Sequence, residues 1–199
     1  ACFRLCGHAY CLVVTDPPYL VGYRSRDGRR FVNDDTGEWL EPAFAEMYRV
    51  LKPDTFCVCF FGWHKADRFL QAWRAAGFRT LEHMVWQKDY ASSVGAVQRF
   101  HEAAYLLAKG KPPRPRILLP SILEWKYSGD GLHPTQKPVM ALLPLIMAYS
   151  QKGDIVLDPF IGSGTTAVAA KQLGRVYIGI EISEEYARAA RDRVRTIRA

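Results

Sequence analysis

Two short stretches of this chain have residue types and spacing suited to chemistry. The first, Asp16-Pro17-Pro18-Tyr19, follows a β-branched run and offers a carboxylate, two rigid prolines and an aromatic face. An exocyclic amine on a heteroaromatic ring is a poor nucleophile, because its lone pair is delocalised into the ring. Asp16 and the Pro17 carbonyl could each accept one of its two hydrogens, and Tyr19 could stack on the ring. Taken alone, the tetrapeptide reads equally as a Pro-Pro turn with an exposed tyrosine. The second stretch is Asp158-Pro159-Phe160-Ile161-Gly162-Ser163-Gly164-Thr165-Thr166. Its glycines let backbone pass close to a ligand, and the following helix presents free N–H groups. Glu181, at the tip of the next strand, is placed to accept hydrogen bonds from a pair of ribose hydroxyls, so the turn reads as a nucleoside site. It is not a P-loop, since no Gly-Lys-Ser/Thr follows.

These groups need strands and helices to hold them. Leu12 to Val14 reads as a strand that stops at Pro17 and Pro18, which cannot donate to a ladder. Residues 22 to 37 read as a mobile loop with Arg24, Arg26, Arg29 and Arg30. Leu40, Phe44, Met47 and Leu51 recur at helical spacing, and that helix is expected to end before Pro53. Thr55 to Phe61 is continuously apolar, as a strand covered on both faces would be. A helix from about His64 to Ala76 stops at Gly77, and strands at about Arg79 to Gln87 and Glu102 to Ala108 follow. Lys109 to Leu132 is rich in proline and glycine and reads as irregular. Beyond it come a helix over about Lys137 to Ser150, a strand at Ile155 to Leu157, a helix at Thr165 to Leu173, a strand at Val176 to Ile180, and a last helix capped by Ser183. Alternating strands and helices predict one α/β domain with a largely parallel sheet.

Composition agrees with one globular unit. The chain has 199 residues, 49% hydrophobic and 24% charged, with 27 Lys+Arg against 20 Asp+Glu, a net charge of +7. Disorder, collagen and coiled coil are set aside. The longest apolar run, Val139 to Tyr149, contains Pro144 and falls short of the ~18 residues a membrane span needs. Arg4 and His8 interrupt any leader-like stretch, so a soluble, intracellular protein is expected. Excess positive charge favours a polyanionic partner. The five cysteines and five histidines show no disulfide or metal-ligand spacing, and Cys57 and Cys59 read as buried thiols.

Three linked motifs, Asp16-Pro17-Pro18-Tyr19, His133-Pro134-Thr135-Gln136-Lys137-Pro138 and Asp158-Pro159-Phe160-x-Gly162-Ser163-Gly164-Thr165, resemble the S-adenosylmethionine-dependent amino-methyltransferases of DNA. The order, catalytic motif first and cofactor turn last, resembles the circularly permuted β class of that family, from about Leu12 to Arg193. The resemblance implies a Rossmann-like, doubly wound class I methyltransferase sheet. Residues 1 to 15 lack the Gly-Asp pair that members usually carry upstream, so the sheet is expected to be short of an N-terminal edge strand.

Carried over by motif, Asp16, Pro17, Pro18 and Tyr19 would form the target-amine pocket. Phe160, Gly162, Ser163, Gly164 and Thr165 would line S-adenosylmethionine, with Asp158 near its amino group and Glu181 on its ribose. His133, Thr135 and Lys137 would close over the methionine end. No metal is implied. The resemblance further implies in-line methyl transfer to the N6 amine of an adenine flipped out of duplex DNA. Asp at the first tetrapeptide position is usual in adenine enzymes and Ser in cytosine N4 enzymes. Cytosine N4 transfer and a catalytically weakened DNA-binding relative stay open. Arg24, Arg26, Arg29 and Arg30, with Lys109, Lys111, Arg114, Arg116 and Lys126, would neutralise phosphates beside the flipped base. Residues 109 to 132 occupy the slot of the target-recognition region, and their small size implies either specificity for a short sequence or help from a second subunit, as in a homodimer. A prokaryotic or phage-type enzyme acting in the cytosol or nucleoid is expected.

Overall fold

A computed structural model describes residues 10–22, 34, 36–91, 93–94, 96–125 and 137–197. Its centre is β1 (Tyr10–Thr15), buried along its whole length because neighbours pair on both sides and helices cover both faces. Parallel to it run β2 (Leu51–Phe60) on one side and β8 (Ile155–Asp158) on the other. The other strands of the main sheet are β3 (Arg79–Gln87), β6 (His101–Lys109), β7 (Ile122–Glu124) and β9 (Val176–Gly179), and the order across it is β7-β3-β6-β2-β1-β8-β9. Only β6 runs against the rest, pairing antiparallel with both β2 and β3. A two-stranded ribbon, β4 (Ser93–Val94) with β5 (Gln98–Arg99), stands apart from this sheet.

The period-two alternation of side chains sorts the core into two layers. Val13, Cys57, Cys59, Leu107 and Leu157 face α1 (Leu40–Val50) and α2 (Ala66–Ala76), where Phe44, Phe69 and Trp73 pack edge to face. Leu12, Val14, Phe56, Val58, Phe60 and Val156 face α3 (Val139–Tyr149) and α4 (Thr165–Gln172). A final helix, α5 (Glu184–Arg195), packs on α4 so closely that a Cβ on Gly164 would lie 2.9 Å from the Ala190 Cβ. Helices on both faces of a mostly parallel sheet are the doubly wound arrangement expected from the sequence. Gly77 closes α2 at φ +100°, and the Ser183 side chain caps α5 by accepting from the Tyr186 N–H.

The structure adds the β4–β5 ribbon, which the sequence did not announce, and departs from the expected elements at β2 and β7. The strand expected from Thr55 begins at Leu51, immediately after α1. Pro53 is accommodated because Lys52, Pro53 and Asp54 bulge out of the ladder between the Tyr10–Leu51 and Leu12–Phe56 pairings, with Asp54 at φ +57°. The stretch expected to be irregular from Lys109 to Leu132 supplies the last residue of β6 and, at Ile122–Glu124, a strand pairing parallel with β3. Three residues between prolines and glycines carry too little periodicity to announce a strand.

Parallel strands deliver their carboxyl ends to one rim. Asp16 follows β1 there, Gly62 follows β2, Asp158 ends β8 and Glu181 follows β9. β6, running the other way, begins at that rim with His101 and Glu102. The chain leaves β1 towards β2 and leaves β8 towards β9, on opposite sides. The crevice between β1 and β8 is therefore the switch point at which open α/β sheets take ligands.

Candidate active site

At the switch point the two motifs are joined side chain to side chain. The Thr15 hydroxyl, the last residue of β1, donates to Asp158 Oδ1 at 2.8 Å, although 143 positions separate them. Asp158 also accepts from the Thr166 hydroxyl at 2.6 Å and from the Phe160 N–H at 3.1 Å. It is 3% exposed, and burial raises its pKa to about 7 against the three hydrogen bonds that favour the charged form. Three of the roughly four acceptor positions of the carboxylate are used, which leaves one for a further donor.

The glycine turn beyond Asp158 is held open from beneath. Gly162 (φ +52°) donates its N–H to Glu181 Oε2 at 2.9 Å, and Ser183 donates to the other oxygen at 2.9 Å. Glu181 thus fastens the turn to the end of β9 while keeping free lone pairs on both oxygens. Among the described residues, nothing beyond its chain neighbours lies within 4 Å of where a Cβ on Gly162 would stand, so backbone faces open space there, as a close-approaching ligand requires. Gly164 (φ +87°) serves instead to let α5 approach. Ser163 and Thr165 are buried, and Arg193 bonds the Ser163 carbonyl and the Thr165 hydroxyl from the α5 side. Phe160 is half-buried and packs its ring on Trp39. This set has an open glycine backbone, a carboxylate at each of two strand ends and a flanking aromatic ring. It fits a nucleoside carrying a cationic amine.

Asp16 is the point of convergence on the other side of the crevice. Tyr19 donates its hydroxyl to Asp16 Oδ1 at 2.6 Å, and Lys137, just before α3, pairs with Asp16 Oδ2 at 2.6 Å. Lys137 also reaches the Tyr19 hydroxyl at 3.1 Å and stands over the rings of Tyr19 and Phe60. Burial alone would depress its pKa, but the carboxylates of Asp16 and Glu102 outweigh burial and raise it, so the ammonium stays charged. Burial likewise favours a protonated Glu102, and Lys137 and Lys88 overcome that to hold it ionised. Glu102 is paired with Lys88, and the ammonium groups of Lys88 and Lys137 lie 5.0 Å and 5.9 Å from the Trp125 ring. Charges alternate along the wall as Asp16, Lys137, Glu102 and Lys88. Tyr19 is raised well above its ordinary value by burial and by the Asp16 charge, and stays a neutral donor.

The structure thus brings Asp16, Tyr19, Lys137, Asp158, Gly162 and Glu181 to one rim. Lys137 sits on the Asp16 carboxylate, a partnership its place in the sequence did not foretell. Arg24, Arg26, Arg29, Arg30, Lys126, His133 and Thr135 lie outside the described residues. Two of the expected phosphate contacts need correction. Lys109 ends β6 at the opposite rim, where its ammonium donates to the Tyr48 and Leu51 carbonyls at 2.6 Å each and caps the end of α1. Lys111 is anchored at that same rim by its N–H to Asp54. Neither stands beside Asp16. Arg114 and Arg116 are exposed. Sequence reading missed Glu102, Lys88 and Asp34. Asp34 is buried and accepts from the Leu20 N–H at 2.6 Å, fixing the chain just past Tyr19. The thiols of Cys57 and Cys59 are buried, and burial pushes both upward, away from the nucleophilic thiolate.

Comparison with known proteins places this geometry. The N6/N4 methyltransferase family, described as DNA methylase, matches residues 10–192. A protein of Escherichia coli (strain K12) named as a methylase, YubD, is 53% identical over 191 residues, spanning 96% of this chain and 84% of that protein. The Type II methyltransferase M2.DpnII of Streptococcus pneumoniae is 31% identical over 218 residues, covering 92% of this chain and 81% of its own. Among solved structures, the M1.HpyAVI–SAM complex superposes with a TM-score of 0.74 at 26% identity, covering 94% of this chain and 89% of that one. The chain belongs to the N6/N4 DNA methylase family.

Proposed function

We propose that the protein transfers a methyl group from S-adenosylmethionine to the N6 amine of adenine in duplex DNA. The observation that carries this reading is the Thr15–Asp158 bond. It ties the strand end that precedes Asp16 to the strand end that precedes the glycine turn, which supports reading the two motifs as halves of one site. When bound, S-adenosylmethionine supplies an electrophilic methyl on a sulfonium, so no covalent enzyme adduct is required. Gly162 offers backbone to that ligand, Glu181 accepts from its ribose hydroxyls, and Asp158 has an acceptor position left for its amino group.

On the substrate side, Asp16 and the Pro17 carbonyl accept the two N–H bonds of the amine. Each Asp16 oxygen has one partner and a second lone pair to offer, so the carboxylate receives the amine while Tyr19 and Lys137 hold its plane. Buried Pro17 fixes the acceptors before the base arrives, and the Tyr19 face takes the ring. The base must leave the duplex to reach them, at a cost of a few kcal/mol. Arg114, Arg116 and the arginines between Gly22 and Gly37 are the candidates for phosphate contacts.

Incubation with methyl-labelled cofactor and mixed-sequence duplex DNA, followed by mass spectrometry of the nucleosides, tests the reading. Labelled N6-methyladenine is expected. Labelled N4-methylcytosine would overturn the choice of base, and unlabelled DNA would overturn the activity.

A further inference from the structure

Beside the catalytic tetrapeptide stands an aromatic surface that neither the core nor the transfer chemistry uses. β2 ends at Phe60, and the chain continues as Phe61-Gly62-Trp63-His64 into a single 3₁₀ turn at Trp63–Lys65. Gly62 lies against the tetrapeptide, since a Cβ there would come 2.7 Å from the Tyr19 Cβ. Trp63 follows it on the rim and is 53% exposed. His64 stacks on Trp63 with ring centres 3.7 Å apart and an interplanar angle of 29°. Arg99, at the end of β5, holds its guanidinium 4.8 Å from the Trp63 ring centre. It comes to this rim because β6 begins here, one residue after exposed Phe100.

Water is a poor surrounding for an indole, and the chain buries Trp73 and Trp86 completely. Trp63 is kept out of both cores, and with His64 stacked on it and the Arg99 guanidinium beside it the pair of rings stands 53% exposed at Trp63. Flat π faces with cationic edges match one class of ligand, a nucleobase with its attached phosphate. The position allows nothing far from the target, because Tyr19 is the neighbour.

We propose that Trp63, His64 and Arg99 form a stacking platform for a nucleobase of the DNA substrate next to the target nucleotide. The stacked Trp63–His64 pair supplies the aromatic surface, and Arg99 supplies positive charge to the flanking phosphate. The platform steadies the duplex where a base leaves the stack, a step in which lost stacking must be replaced. This inference rests on the proposed transfer to a flipped base, and its test is separable from that reading.

The test measures equilibrium affinity for a fluorescent mixed-sequence duplex by anisotropy, without requiring turnover. Trp63→Ala should weaken DNA binding at least about tenfold, within the range alanine gives at stacking aromatics. Trp63→Phe should retain most of the affinity. A stacking loss should persist at low and high salt alike, whereas the loss in Arg99→Ala should shrink as salt rises. Cofactor affinity by calorimetry should be unchanged in all three. Trp63→Ala affinity within twofold of wild type would overturn the platform. So would an unchanged DNA affinity with a shifted sedimentation coefficient, which would assign the surface to a second copy of the chain. A wild type that binds DNA but methylates none would overturn the transfer reading, with the platform still decided by anisotropy.

Discussion

Asp16, Lys137, Glu102 and Lys88 form a line of alternating charge in which each inner member answers to two neighbours. Removing one leaves the next uncompensated. Glu102→Leu deprives Lys88, whose side chain is 4% exposed, of its counter-charge, and should cost about 3–5 kcal/mol of stability, measured as a fall in the urea midpoint. Lys137→Met frees Asp16 and Tyr19 from a cation and should lower the turnover number more than it lowers stability, since the carboxylate loses what fixes its plane. The two ends of this line differ in how visible they are in the sequence. Asp16 and Tyr19 are legible because the tetrapeptide is contiguous and its residue types state its chemistry. Glu102 is a lone acid in an apolar strand, and its importance comes from β6 running antiparallel, which no local spacing encodes.

The elements around the switch point divide their glycines by task. Alanine at Gly164 meets both a left-handed φ and the Cβ of Ala190, so Gly164→Ala should destabilise by about 1–3 kcal/mol in urea unfolding. Alanine at Gly162 meets only the φ, so Gly162→Ala should fold better than Gly164→Ala and yet bind cofactor more weakly, as titration calorimetry would show. The strand end at Asp158 adds a pH signature. Its folded pKa of about 7 lies above its ordinary value of 3.8, so in that interval the folded state holds a proton the unfolded chain has released. This contribution favours folding at low pH and is lost as pH rises from about 4 to about 7. Urea midpoints at pH 5.5 and pH 8 should therefore differ less in Asp158→Asn than in wild type. Strand and helix order is readable here because apolar runs, helical spacing and the stops at Gly77 and Ser183 are local signals. The early start of β2 and the existence of β7 are settled by pairing partners distant in sequence.

Across the whole molecule, the net charge of +7 is not spread as its sequence clusters suggest. Lys109 spends its charge on the carbonyls at the end of α1, at the rim away from Asp16. Lys109→Met should therefore lower the urea midpoint while leaving the salt dependence of DNA binding unchanged. The double variant Arg114→Ala with Arg116→Ala, at exposed positions, should do the reverse and flatten the slope of log affinity against log salt. A sheet that gathers its reactive groups at one rim predicts that binding of cofactor and transfer to DNA are separable. Single-turnover transfer of labelled methyl to duplex DNA, measured beside calorimetric cofactor affinity in Asp16→Ala, tests this most directly. Transfer should fall by at least about a thousandfold, on the scale of lost electrostatic and acid–base groups, while cofactor affinity stays within a few-fold of wild type. Retained transfer in Asp16→Ala would contradict the account.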